Sequence, residues 1–458
     1  MWVVRVQDVL SMKGKPQPHQ ELKQRGLLWL REHTSLKSWV MFVSHQWLGR
    51  SHPDPNGEQL QVLQDVLRQL IVRRIKIEYD LTTQTYVNAR MLTKAECHNL
   101  QHAYVWLDWF CVPQMVPGLP TTTREEQLNY IFSIPYYVDS CELFVALVPR
   151  CLHETGEPVG ESTWLQRGWC RTEMWCKVLS DASAIPIILV TDSDAAQFAV
   201  PMWMHHPVHS GQFAVEADRG SCCQVVQSAL ERKMFELKRR GDMQRYRLLL
   251  ARFEDMLGLP LQQRSLDKFL ADFGFGSLQN CWKTPGIGPV ACAALSGDCP
   301  MVQTLASARA SLQTRTRADE FIGVPPDFSP LHLACWFGST DLRPLQTLLQ
   351  LRADVHADAP TTPAPLNFCS SAGAVELLVQ HGASVNAATS KLKWPPIHIM
   401  CMKAAPPEAV AKLLELQADP DGNPGGSPPI AFLGLTGNSN PHLVEVAQLL
   451  IDYKAGVG

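Results

Sequence analysis

The chain has 458 residues, 41 Lys+Arg against 44 Asp+Glu for a formal charge of −3, and 46% hydrophobic against 19% charged residues, with a mean hydropathy of −0.08. At roughly 100–200 residues per domain this predicts a folded chain of two to four domains and excludes collagen-like, wholly disordered and membrane-bundle architectures. The near balance of charge gives no global attraction to nucleic acid or an anionic membrane, so neither is an expected partner.

The 14 cysteines are too dilute for a disulfide scaffold and read as reduced thiols. Arg5 and Asp8 interrupt the apolar core that a signal peptide would need, and no uncharged run approaches the ~18 residues of a membrane span. A cytoplasmic location is the expectation. No C-x-x-C pair occurs; Cys97, His98 and His102, and His205, His206 and His209, read as polar helix surface and loop, so no metal is expected.

Residues 1–37 carry a short apolar opening and a polar, helix-compatible run, HQELKQRGLLWLREH. They read as a lead-in segment that packs on the next domain. Over residues 38–200 the apolar runs WVMFVSH, AYVWLDWFCVP, ELFVALVP and AIPIILVTD alternate with amphipathic stretches, which predicts an α/β domain with an open parallel sheet and crossover helices. In the first crossover Leu60, Leu63, Leu67 and Leu70 recur at helical spacing behind the turn residues Pro53, Asp54, Pro55, Asn56 and Gly57. Residues 201–283 lose the strand pattern and form a helical connector, with a charged helix broken near Gly241. Its basic residues, Arg232, Lys233, Arg239 and Arg240 among them, read as a solvated helix face.

Residues 284–458 contain an internal repeat. A Pro-x-hydrophobic opening recurs at Pro289, Pro330, Pro365, Pro396 and Pro429, at spacings of 41, 35, 31 and 33. A second anchor runs in phase with it, LRADVHA around Ala353, HGASVNA around Ala383 and LQADPDG around Ala418, with weaker versions at Ala310 and Ala455. The unit at Pro365 lacks the usual residues between its helices. The pattern resembles the ankyrin repeat, whose period is about 33 and which begins T-P-L-H-x-A; Ser329, Pro330, Leu331, His332, Leu333 and Ala334 match it nearly position for position. The resemblance implies an all-α ankyrin solenoid of about five repeats, some degenerate, whose concave face binds a protein partner. It also makes His332 and His398 hydrogen-bonding groups within and between repeats. No catalytic constellation is visible after residue 283.

In the α/β domain, polar and reactive residue types gather at the ends of predicted strands, where open parallel sheets place their ligand crevices. They are Ser44, His45, Gln46 and Trp47; Asp108, Trp109, Phe110, Cys111, Pro113 and Gln114; Arg124 to Gln127; and Arg167 to Glu173 opening a late helix. Ser44 and His45 are strand neighbours and point to opposite faces, which opposes their acting together as nucleophile and base. Cys111 and Cys170 read as buried, inert thiols, with a reactive role as the alternative.

The order FVSH, then LD and a long loop, then ELFVALVP, then W-x-x-x-E from Trp169 to Glu173 ahead of AIPIILV resembles the Toll/interleukin receptor (TIR) domain. WLDWFCVPQ is also similar to the heterokaryon-incompatibility type domain. The resemblance implies a flavodoxin-like, TIR-like fold. In TIR domains that cleave NAD an essential glutamate occupies the W-x-x-x-E helix, which lands on Glu173; NAD is then the substrate, with Ser44, His45, Trp47, Asp108 and Trp169 as cofactor-binding residues. One carboxylate suffices for that chemistry, because it stabilises an oxocarbenium-like ribose while nicotinamide leaves without protonation. The plain alternative makes Glu173 a first-turn acid favoured by the helix dipole and paired with Arg167 or Arg171, and Trp169 and Trp175 core aromatics. Departures from the TIR pattern are the long link 72–103, His45 where an aromatic is usual, and GEPVGEST before the W-x-x-x-E helix.

The reading that joins these pieces is an intracellular signalling adaptor, its ankyrin array recognising a protein and its TIR-like domain self-associating or acting as an effector. The rival is an NAD glycohydrolase that uses Glu173 and is regulated by the array.

Overall fold

The strand Val40–His45 is buried along its whole length, as a nearly continuous apolar run must be at the centre of a parallel sheet covered on both faces. The computed structural model that contains it describes residues 1–35, 37–79, 90–115, 123–277, 286–317, 324–338, 341–360, 362–389, 393–422, 426–433 and 442–453. The chain divides into two units, Met1–Lys233 and Met234–Gly458.

The first unit is α/β. In chain order its strands are β1 (Trp2–Arg5), β2 (Leu28–Leu30), β3 (Val40–His45), β4 (Tyr104–Leu107), β5 (Leu143–Leu147), a small hairpin of β6 (Cys151–Leu152) and β7 (Pro158–Val159), then β8 (Ile188–Asp192) and β9 (Ala195–Phe198). Seven of them form one sheet in the order β2-β1-β4-β3-β5-β8-β9. β3 runs parallel to β4 and β5, and β5 parallel to β8. The four expected strands are therefore the parallel centre, and their order, second-first-third-fourth, reverses between β3 and β5.

Register at that centre is set by aromatic stacking. Phe42 lies opposite Trp106 on one side and Phe144 on the other, its ring stacked at 4.3 Å and 5.0 Å from theirs. Such cross-strand pairs stabilise a sheet by about 0.2–1 kcal/mol each and fix which residues face which side. The crossover helix α1 (Glu58–Ile71) buries Leu60, Leu63, Leu67 and Leu70 as the spacing predicts. Two further helices, α2 (Glu161–Gln166) and α3 (Gly168–Leu179), follow the β6-β7 hairpin.

The sheet is mixed, and its first 37 residues are more than a lead-in. β1 pairs antiparallel with β2 and with β4. The run HQELKQRGLLWLREH is α-helical only over His19–Gln24, because Gly26 takes a left-handed φ of 67°; LWL then pairs as β2 and Arg31–His33 closes the run as a 3₁₀ turn. β9 is antiparallel to β8. Residues 201–283 contribute to both units. The long helix α4 (Asp218–Arg240) crosses the division, and the break at Gly241, φ 76°, separates it from Met243–Leu257. Arg232 and Lys233 do not form a free basic face; they pair with Asp139 and Asp181 of their own unit.

The second unit is helical and repetitive. Short helices open at Pro289, Pro330, Pro396 and Pro429, and a 3₁₀ turn opens at Pro365. Proline is tolerated there because a first-turn residue needs no N–H partner. Each is followed by a second helix: Cys299–Ser307, Arg343–Gln350, Ala372–Gln380, Pro407–Glu415 and Leu443–Asp452.

The alanine anchors explain themselves. Arg309, Arg352, Gly382 and Gln417 each take a positive φ of 62°, 62°, 96° and 70° after the second helix. The next N–H, that of Ala310, Ala353, Ala383 and Ala418, reaches back to the carbonyl of Leu305, Leu348, Leu378 and Leu413. That is a Schellman stop, and each alanine is buried by it. Ala455 lies outside the described residues. At Pro365 the opening turn is only four residues long, which accounts for the shortened unit. No helix among the described residues is long and apolar enough to cross a membrane.

Three of these stops hold a non-glycine residue in the left-handed region, at a cost of roughly 1–2 kcal/mol against glycine's own entropy loss of about 0.5–1. Arg352→Gly is therefore expected to raise stability by up to about 1 kcal/mol and Arg352→Val to lower it; urea unfolding followed by circular dichroism measures both.

Candidate functional site

The site forms where β3 and β4 end. His45, the last residue of β3, hydrogen-bonds through Nδ1 to Gln59 Oε1 at 2.8 Å and through Nε2 to Asp108 Oδ1 at 2.9 Å. Gln59 lies in the first turn of α1 and is 2% exposed. Its Nε2 donates to the Gln46 carbonyl at 2.8 Å, which turns its oxygen toward the ring. Both ring nitrogens thus face acceptors, an arrangement that only the doubly protonated imidazolium satisfies.

Burial disfavours the charged ring, but the Asp108 charge and hydrogen bond, the Gln59 oxygen and the Glu173 charge outweigh it and lift the His45 pKa from 6.5 to about 9. Asp108 also accepts from the Trp109 N–H at 2.6 Å and from Trp47 Nε1 at 3.0 Å. Burial favours its neutral acid, yet the His45 charge and these donors hold it below the ordinary carboxylate range. Trp47 is thereby fixed, partly exposed, edge-on to Trp109 with ring centres 5.6 Å apart.

The other face of β3 carries Ser44, fully buried. Its Oγ accepts from Trp164 Nε1 of α2 at 2.9 Å, and its hydroxyl favours ionisation of Glu173. Burial works the other way and dominates, with the Asp108 charge adding to it and His45 opposing, so that Glu173 sits at about 8 against an ordinary 4.5. By surface area Glu173 is only partly buried. A carboxyl that is largely protonated at neutral pH beside an imidazolium–carboxylate pair is the kind of separation that divides acid and base roles within one site.

Ser44, His45, Trp47, Asp108 and Glu173 are thus brought together. Trp169 is not on this cluster through its N–H, which goes to Asp218 Oδ2 at 3.1 Å. The reading of Glu173 as a first-turn acid is corrected: α3 begins at Gly168 and has no acid in its first turn. Arg171, offered as its partner, is engaged with the Leu165 and Pro207 carbonyls and Ser210 Oγ. The Trp175 N–H is held by the His206 carbonyl at 2.9 Å. Cys111 and Cys170 are buried, and burial pushes both thiols up, the opposite of what a reactive thiolate needs. The side chains of Arg124 and Gln127 lie outside the described residues.

Two members escaped the sequence reading. Gln59 left one signal, a polar residue one helical turn before Leu63 on the buried stripe of α1. Trp164 left none, because its contact with Ser44 spans 120 residues; the GEPVGEST segment that looked like an insertion is what delivers it.

Compared with known proteins, the chain matches no family model, and no curated sequence matches it.

The raised pKa values of His45 and Glu173 have the same sign. Each contributes stability in full below its ordinary value, 6.5 or 4.5, and that stability is lost as pH rises through about 9 or 8. Asp108→Asn removes the main support of the imidazolium and is expected to cost about 1–3 kcal/mol at pH 6 and less at pH 10. NMR titration of His45 together with urea unfolding at the two pH values checks it.

Proposed function

We propose that the chain is a cytoplasmic signalling adaptor in which a TIR-like α/β domain is joined to an ankyrin array that binds a protein partner. The observation that carries this reading is the repeated stop of the second unit, four buried alanines each bonded back to a leucine carbonyl behind a left-handed residue. Units that end alike stack alike, and stacking buries faces that no single helix pair can cover.

The histidines fit the same reading. His332 bonds Ser329 Oγ at 2.7 Å and the Pro363 carbonyl at 2.9 Å, and His398 bonds the Ser427 carbonyl at 3.1 Å, each reaching toward the following unit. Between Arg352 and Asp358 exposed and buried residues alternate, leaving Asp354, His356 and Asp358 as a polar row for a partner. Free, mostly buried cysteines among the described residues agree with a reducing compartment.

In affinity capture with the full chain, replacing Asp354, His356 and Asp358 together by alanine is expected to lose the captured protein at unchanged circular dichroism. Retention would remove this surface as the binding face.

A second reading is supported by Glu173, which α3 carries to the His45–Asp108 pair at the strand ends. There the first unit acts as an NAD glycohydrolase, with self-association as its alternative output. Water replaces nicotinamide on the ribose carbon, giving ADP-ribose, nicotinamide and a proton, and the ionised Glu173 stabilises the cationic sugar.

Full chain is expected to release nicotinamide from NAD, and Glu173→Gln to lower the rate about 10²–10³-fold. Because the ionised form acts and Glu173 titrates near 8, kcat/KM should rise as pH increases through that value. Release that survives the substitution, or none from the native chain, ends the hydrolase reading.

A further inference from the structure

Arginines in the first unit are mostly spent. Arg31 bonds Thr34 and the Ser35 carbonyl, Arg171 holds two carbonyls and Ser210, and Arg219 pairs with Glu216. Arg50, Arg150 and Arg167 differ, as do Arg73 and Arg74 past the end of α1. Among the described residues none of their guanidinium groups has a hydrogen bond or ion pair, and the first three stand at the same end of the sheet.

Arg50 follows the end of β3, Arg150 follows β5, and Arg167 is the residue before α3. β3 and β5 are the strands between which the order of the sheet reverses, the place where open α/β sheets bind ligands. The segments are tied to one another. Leu48 packs with Cys151 and Val159, the Glu154 N–H donates to the Leu48 carbonyl at 2.7 Å, and the Arg50 N–H donates to Glu154 Oε1 at 2.9 Å. One turn into α3, Cys170 Sγ meets the His45 carbonyl at 3.6 Å, and its thiol feels the Arg167 charge.

None of the neighbouring acids forms an ion pair with these arginines among the described residues. Asp108 pairs with His45, Glu173 favours its protonated form near neutral pH, the Glu154 carboxylate accepts from the Arg50 backbone N–H, and Glu58 and Asp54 act on the Cys151 thiol. The three guanidinium groups are thus without a partner of their own, and guanidinium is the side chain best matched to phosphate oxygens.

We propose that Arg50, Arg150 and Arg167 form a phosphate-binding rim at this end of the sheet and take the diphosphate of a nucleotide, with Trp47 as the surface for one of its planar rings. For the identity of that nucleotide the inference rests on the hydrolase reading of the same site.

The test is calorimetric titration of the full chain with ADP-ribose and, separately, with inorganic pyrophosphate, at low and moderate salt. ADP-ribose is expected to bind more tightly than pyrophosphate, and Arg50→Gln, Arg150→Gln and Arg167→Gln each to weaken both about tenfold. Arginine-to-lysine variants should recover part of the loss, and Arg74→Gln with Lys76→Gln, past the far end of α1, should change nothing. Trp47→Ala should weaken ADP-ribose and leave pyrophosphate unchanged.

Binding indifferent to the three arginines, or lost equally in the Arg74 and Lys76 variant, overturns the proposal. Equal affinity for pyrophosphate and ADP-ribose overturns its nucleotide part. Because the titration needs no turnover, failures separate: arginine-dependent ADP-ribose binding without NAD cleavage removes the hydrolase reading alone, whereas Glu173-dependent cleavage with a KM that ignores the arginines removes the phosphate rim alone.

Discussion

The stacking of Phe42 between Trp106 and Phe144 is the constraint from which the rest of the first unit follows. Side chains alternate along a strand, so a slip of one residue would exchange its two faces. With Phe42 locked, Ser44 falls on the face served by α2 and α3, and His45 on the face of α1. Trp164 and Glu173 then meet Ser44, and Gln59 meets His45, each from a helix whose own position is fixed by burial against the same sheet. Electrostatics refines a site whose geometry is decided by packing.

Within that geometry two ionisable groups are driven the same way for different reasons. His45 gains a proton because every hydrogen-bonding direction around it ends in an acceptor. Glu173 keeps one because burial outweighs the single hydroxyl that would favour its charge. The pair His45–Asp108 is nearly charge-compensated, so the strand ends present a local dipole and a neutral acid within a chain whose overall charge is close to balanced. Composition alone could not reveal this, since it averages over the groups that matter.

The four central strands and the first crossover were legible because continuous apolar runs and a leucine spacing of 3.6 are signals carried by neighbouring residues. β1, β2 and β9 were not: they are three or four residues long, and the polar run ahead of β2 looked helical until Gly26 ended it. In the second unit the alanine anchors were visible, whereas the left-handed residues before them were hidden, since Arg309, Arg352 and Gln417 are side chains that no turn rule would place at positive φ. At the site, Ser44, His45, Asp108 and Glu173 stood out as polar types at strand and helix ends. Their connections could not be read, because contacts such as Trp164 to Ser44 and His45 to Asp108 join segments far apart in the chain.

The two borders of the sheet carry a last consequence. A strand at an edge offers unpaired backbone groups to any other chain, and short or irregular edges blunt that hazard. Here β2 extends for only three residues. β9 is kinked by a register shift against β8 and is covered from outside by Glu78, which takes hydrogen bonds in both directions with Ala196 and Phe198. The parallel core is thus bordered on both sides by short antiparallel strands. Among the described residues neither border offers another chain an edge strand longer than four residues to pair with.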